Sequence, residues 1–533
     1  MIQLMPTFWR DNLIDLTLSG YWIAALYGLG FLTCLVTRQY DWAVARMTSR
    51  LALLASLGFP LISGLLTQSL PPALSTLMGG LIALLGWVII DYASRYLEGD
   101  TGQHRFVCAM LFTLGSVALL VKSDNLLWMM LAWSATSLSL HFLLTHYRDR
   151  KAAKIVAHKK FLVSRMADVC LIAALVLIYQ TLGSFSLPAL NQHLSQMTTL
   201  SPALNSAALL FAVAAILKTA QLPLHGWLIQ VMEAPTPVSA LLHAGVVNMG
   251  GFVLISLAAL INLSPLSQSV LVIVGSTTAL LAGWVMMTRI SIKVRLAWST
   301  CAQMGFMLME IGLGLYELAL LHLIAHSVYK AYSFLSAGDV VAQTVHKDYF
   351  PPVVQVHGVL AAVLLSAVIV IGLPMLWQQV LPNLSLPVSA TVILIFGCAP
   401  LFWHTTIKTT GNTVTNTGRS AVRLGLLRSL TVLHLYLLWH SAFAQIAPPT
   451  GPEQMGLLGF VSVVFMLLYL GQVAIRCYPH SRVVRRLYPW AYNGFYLDET
   501  FTRFTFKVWP AKLTLEQAQT QVNRKHTPTG ESI

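Results

Sequence analysis

The chain has 533 residues, 56% of them apolar and only 10% charged, with a formal net charge of +14 and a mean hydropathy of +0.70. Soluble domains carry about 25% charged residues, so this composition excludes a soluble globular protein and implies an all-α polytopic membrane protein. The six cysteines (Cys34, Cys108, Cys170, Cys301, Cys398 and Cys477) form no CxxC pair and fall mostly in apolar runs. They read as small core residues and supply neither a disulfide framework nor a metal site.

The first twenty residues carry Arg10, Asp11 and Asp15 ahead of any long apolar run, unlike a cleaved signal peptide. Apolar runs long enough to cross about 30 Å of hydrocarbon then follow near 19–37, 51–67, 73–92, 106–121, 125–146, 161–181, 205–221 and 236–262. Further runs lie near 269–288, 296–315, 317–342, 357–378, 387–404, 424–445 and 455–475, which makes about fifteen spans. Of the 33 Lys and Arg, 27 fall in the loops 38–50, 93–105, 147–160, 289–295, 343–356 and 405–423 and in the tail from 476. By the positive-inside rule these face the cytoplasm, with the N-terminus outside. The basic excess is therefore mostly topological, which argues against a nucleic-acid surface as its explanation. The densest basic run, RDRKAAKIVAHKK (148–160), reads as a loop against lipid headgroups or an acidic partner. The tail 477–533 alternates aromatics with Arg and Lys as an amphipathic interfacial segment does, and its last residues are polar.

Charges inside the spans are costly and mark a pathway. SRMADV places Arg165 and Asp168 three apart, able to pair with each other or to hold a distant lysine. In LKTAQLPLHGWLIQVMEAPTPVSALLHAG (217–245), Lys218 ends an apolar run, QLP breaks the helix, and Glu233 stands just before PTP. Freed backbone groups at such a break must be buried in protein or line a wet cavity. A broken helix beside a buried lysine suits ion translocation; a tight turn with a snorkelling lysine is the bland alternative. In LALLHLIAHSVYKAYSFL, His322, His326 and Lys330 are four apart and form one helical stripe. Imidazoles relay protons near neutrality, although either histidine alone could be a satisfied core residue. Glu310 is a deep carboxylate candidate, whereas Glu317 and Asp339 fall near span ends.

These residues, with His243 and the segment SIKVRLAWSTCAQMGFM (291–307), resemble the proton-conducting antiporter-like subunits of respiratory complex I and of multisubunit sodium/proton antiporters. The similarity covers roughly 105–345. It implies two inverted five-helix repeats with broken helices, here 106–262 (break near 218–236) and 263–404. Flanking them would be N-terminal helices in 1–105, C-terminal helices in 405–476 and the tail from 477. By motif position Lys218 would be the broken-helix lysine and Lys330 the central one, with Arg165, Asp168, His243, His322 and His326 on the connecting axis. Two departures stand out. Relatives carry Trp–Glu in the fifth span where this chain has Trp133–Ser134, so the lysine's carboxylate is missing there, and His141 is a candidate substitute. Relatives also have a charged lysine in the second broken helix, whereas 349–407 contains no Asp, Glu, Lys or Arg, despite a kink candidate at GLPML.

With no lateral helix, the chain resembles the DabB family, the membrane subunits of two-subunit inorganic-carbon accumulation complexes of the bacterial inner membrane. That resemblance implies a DabA-like cytoplasmic zinc partner related to β-carbonic anhydrases, with cation influx driving CO2 hydration to bicarbonate. It places no cofactor and no catalytic centre in this chain; zinc would belong to the partner. The alternative is a proton-pumping subunit of a respiratory NADH dehydrogenase-like complex or of a multisubunit cation/proton antiporter. No nucleotide loop, flavin fingerprint or iron–sulfur ligand set is present in the sequence.

Overall fold

The structure, a computed structural model, describes residues 21–508 apart from 68–71, 148–149, 340–352, 355–356, 381–385, 404, 410–411, 416–417, 444–445 and 452–453. The residues 1–20 and 509–533, and with them the polar end of the tail, lie outside the described residues. The described residues of each expected apolar run fall largely on helices. The chain begins with α1 (Trp22–Val36), α2 (Asp41–Thr67), α3 (Ala73–Tyr96), α4 (Gln103–Lys122), α5 (Leu126–Leu144) and α6 (Lys151–Leu182). The short α7 (Leu187–Leu194) leads to α8 (Pro202–Lys218) and then to the stub α9 (Gly226–Ile229), which tightens into a 3-10 turn over Gln230–Glu233. The next span is split into α10 (Thr236–Ala244) and α11 (Met249–Ser256), and α12 (Ala258–Asn262) ends it. Then come α13 (Pro265–Thr288), α14 (Ile292–Gly312), α15 (Tyr316–Leu335), α16 (His357–Trp377), α17 (Val388–Cys398), α18 (Gly418–Phe443) and α19 (Met455–Cys477). The tail contributes α20 (Arg482–Tyr492) and α21 (Leu497–Val508). Among the described residues, nine helices are long and apolar enough to cross a membrane, and the shorter α1, α8 and α17 are apolar too. A small antiparallel ladder joins Val353–Val354, Thr405–Thr409 and Asn412–Thr415.

Local chemistry sets the helix starts. Asn125 accepts from the amides of Leu127 and Trp128 at the head of α5, and Ser201 and Ser264 cap α8 and α13 just ahead of a proline at the first helical position. At the second kink candidate the helix is not interrupted: α16 runs through Pro374 to Trp377.

In an apolar solvent helices associate through close packing and interhelical hydrogen bonds. The antiparallel pair α13 and α14 shows how: a Cβ added at Gly275 would sit 2.5 Å from the Gly305 carbonyl oxygen, so only glycine permits this backbone approach. The α10–α11 span is the hub, with 94% of its apolar window buried against 22% for α16 and α19. That ratio makes the first the axis of the bundle and the other two its lipid-facing periphery.

Contacts at the helix ends separate two faces. At one, Asp41 meets His104 (2.9 Å), Asp100 meets His146 (3.4 Å) and Arg150 meets Glu233 (3.6 Å). This is the basic face. At the other, Leu126 donates to the Phe185 carbonyl and Leu187 to that of Asp124, Tyr316 bonds Asn262, and Gly451 bonds Gly314.

Candidate functional site

The first polar group forms where α8 stops. Thr219 leaves the helix, Ala220 takes a left-handed φ of 54°, and a cis Leu222–Pro223 peptide follows. Lys218 is left buried at the broken end. Its Nζ lies 2.8 Å from Asp168 Oδ1 on α6, and Asp168 Oδ2 lies 2.7 Å from Arg165. Ser134 on α5, where the family resemblance implies glutamate, donates to Asp168 Oδ1, the oxygen that faces Lys218, at 2.8 Å. The carboxylate missing from the fifth span is thus supplied one helix away, with Ser134 orienting it. Both pairings open for Asp168 are made at once. The Trp133 ring completes the setting, 5.0 Å from the ammonium. His141, offered by the sequence as a functional substitute for that carboxylate, does not take its place beside Lys218. It packs against Phe161 at 6.2 Å between ring centroids and within electrostatic reach of Lys160.

Lys160 is the residue sequence reading missed. The basic run 148–160 is mostly not a loop: α6 begins at Lys151, and Lys159 and Lys160 are both buried. Lys160 donates to the Ser137 carbonyl at 2.7 Å and lies within electrostatic reach of Lys218, Arg165 and Asp168. The available signal was the spacing of Lys160, Ser164 and Asp168, four apart and hence on one helical face. Glu233 stands apart from the interior groups, partly exposed beside Arg150 on the basic face.

The second group is built on α15. Its stripe turns inward as expected, with His326 and Lys330 buried and the His322 side chain 9% exposed. Lys330 donates to the Leu296 carbonyl (2.9 Å) and to Ser299 (2.8 Å), both on α14. Among the described residues no carboxylate pairs with it, so Lys218 sits in an ion pair and Lys330 among neutral acceptors. His322 Nδ1 lies 3.0 Å from Glu310 Oε2, and the His322 and His326 rings are 6.1 Å apart. Glu310 is fully buried. His243, on the central α10, stacks on Phe334 at 4.4 Å and is within electrostatic reach of Lys330. Neither ring nitrogen of His243 or of His326 has a protein partner among the described residues. A buried polar atom without a partner costs about 1–3 kcal/mol, an expense unusual for a merely structural core. A cavity of about 270 Å³ opens onto this group, lined by Ser299, Gln303, His322, His326, Tyr329 and Lys330.

The tail is tied to the break. Lys159 Nζ lies 2.8 Å from Asp498 Oδ1 on α21 and donates to Thr502 at 2.9 Å. Gln230, in the turn after the broken helix, donates to Asp498 Oδ2 at 2.7 Å, and a Cβ at Gly226 would overlap that carboxylate. Asp498→Asn therefore strips the fully buried Lys159 of its counter-charge. The expected loss is on the order of 2–3 kcal/mol, less than for a fully buried pair because Asp498 is 20% exposed. A lowered thermal midpoint and faster proteolysis within 482–508 would report it; an unchanged midpoint would show that the latch contributes nothing.

A lysine–carboxylate pair at a helix break and a histidine–lysine stripe, both beside an enclosed central span, define an antiporter-like membrane subunit. Residues 123–399 match the family model described as "NADH:quinone oxidoreductase/Mrp antiporter, TM", and the chain belongs to that family. Within it, the chain groups with the DabB subunits. It is 39% identical to the "Probable inorganic carbon transporter subunit DabB" of Hydrogenovibrio crunogenus, over 92% of this chain and 94% of that protein. It is 35% identical to "DabB2" of Halothiobacillus neapolitanus over 84% and 82%. Against "NADH-quinone oxidoreductase subunit L" of Escherichia coli the identity is 35%, over 52% of this chain and 45% of that one. The solved Mrp complex from Dietzia sp. DQ12-45-1b shares the fold, with a TM-score of 0.53 at 22% identity over 96% of this chain and 58% of that one.

Proposed function

We propose that this chain is the cation-conducting, most simply proton-conducting, membrane subunit of an inorganic-carbon accumulation complex, and that ion flux through it drives CO2 hydration in a cytoplasmic partner. One observation carries the reading: buried lysines in contrasting settings, Lys218 in an ion pair and Lys330 among neutral acceptors, are held with three histidines and two carboxylates around one enclosed span, a costly arrangement of the kind that marks an ion pathway. The route would run from Lys160, Asp168, Arg165 and Lys218 through His243 to Lys330, His326, His322 and Glu310. The basic face would be cytoplasmic by the positive-inside rule, with the N-terminus outside. The relatives of matching length are named inorganic carbon transporter subunits, which favours this reading over a respiratory pump. The charge-free stretch 349–407 favours it too.

In this reading the partner is a DabA-like zinc protein, and hydration yields bicarbonate and a proton, a reaction made one-way by the ion gradient. The docking surface would be the exposed side of α20, where Arg485, Arg486 and Trp490 project as an aromatic and arginine anchor set. Removal of the whole tail would also cut the Asp498 latch, so point variants are the cleaner probe. Purification from the native host should bring down one soluble zinc-containing protein, and a triple alanine variant at 485, 486 and 490 should release it while the bundle stays in the membrane. Recovery of a set of other membrane antiporter subunits instead would overturn the proposal. A His322→Ala/His326→Ala double variant should lose coupled carbon uptake while keeping its membrane abundance. Uptake at the normal rate would reduce the stripe to packing.

A further inference from the structure

We infer that Glu317 and His440 form the terminal station of the ion route on the face opposite the basic one, replacing the charge that 349–407 lacks. The inference rests on the ion-conducting reading above. Glu317 lies in the first turn of α15 and His440 in the last turn of α18, and Nδ1 of the histidine is 2.6 Å from Oε2 of the carboxylate. Each side chain is 13% exposed, less enclosed than the fully buried Glu310, so the pair stands between interior and surface. It lies at the end of the bundle where Tyr316 bonds Asn262 and Gly314 meets Gly451.

A polar link runs inward from this pair. The His440 ring stacks on Tyr436 with centroids 6.0 Å apart. Tyr436 is buried and within electrostatic reach of both Glu310 and Glu317. Glu310 in turn holds His322, the first member of the stripe that ends at Lys330. A phenol within electrostatic reach of two carboxylates can accept and donate a proton through its hydroxyl, and an imidazole can do so through its two nitrogens. A simple interhelical staple would need neither titratable group, nor a link to a second buried acid.

The test uses the protein purified from its native membrane with whatever subunits accompany it. It is reconstituted in vesicles containing a pH-sensitive dye, and flux is driven by a potassium diffusion potential. Glu317→Gln and His440→Gln should each lower proton flux at least about tenfold at equal protein, whereas Glu317→Asp should retain most of it. A structural pair would tolerate the amide, which keeps a hydrogen-bonding end. Independently, Glu317→Cys in intact cells should react with a membrane-impermeant thiol reagent added outside, above the labelling of the native chain; failure to label would overturn the inference. Normal flux in both Gln variants, with flux lost in Lys218→Ala, would overturn this inference alone. Normal flux in Lys218→Ala would overturn the ion-conducting reading and this one with it.

Discussion

Exchange of Lys218 for arginine is expected to abolish ion-coupled function while the chain remains in the membrane at its normal abundance. Arginine keeps the positive charge, so Asp168, whose Oδ1 lies 2.8 Å from the native Lys218 Nζ, retains a counter-ion at the end of α8 and the Asp168–Arg165 pair survives. What is lost is the ability to release the proton, since a guanidinium stays charged throughout the accessible pH range. The fall in flux or in carbon-dependent growth should be about 10²-fold or more, the typical worth of a positioned proton-transfer group. Lys218→Ala should do the same by a different route, since it removes the protonatable group and leaves Asp168 with Arg165 and Ser134. Immunoblotting of membranes separates both effects from poor assembly. A stably expressed arginine variant with full activity would remove Lys218 from the relay.

The carboxylate beside Lys218 should be movable. Asp168→Asn leaves the buried Lys218 and the neighbouring Lys160, with the partly exposed Arg165, without a counter-charge, a loss of roughly 3–5 kcal/mol by analogy with broken buried ion pairs. Ser134 already bonds Asp168 at 2.8 Å, so a glutamate at 134 places a carboxylate within reach of the same ammonium. The double variant Ser134→Glu/Asp168→Asn should therefore recover most of the thermal stability and a substantial part of the flux lost in Asp168→Asn. Activity in Asp168→Asn equal to that of the native chain would show that the pair is dispensable. A double variant no better than the single one would show that position 134 cannot serve Lys218.

Much of this site is legible in the amino-acid sequence. The break at QLP, the inward stripe of His322, His326 and Lys330, and the depth of Glu310 follow from local rules about proline, helical period and the cost of buried charge. Two expectations change in the folded chain. The basic run 148–160, apart from its first residues, forms the opening turns of α6, because its lysines find the Ser137 carbonyl and Asp498 rather than lipid headgroups. His141 is not the stand-in for the absent fifth-span glutamate, since Asp168 on the adjacent α6 faces Lys218.

Hydropathy and charge along the chain suffice to make this protein a bundle of membrane-spanning helices and to show which loops carry the positive charge. Those properties depend on one apolar run at a time and on the loops beside it. The pairings Lys218–Asp168, His322–Glu310, Lys159–Asp498 and Glu317–His440 exist only in the packed bundle, the last two joining residues far apart in the chain. Helices that are apolar on nearly every side carry little information about their own rotation. That angle is set by close contacts such as Gly275 against Gly305, and it selects which buried side chains meet.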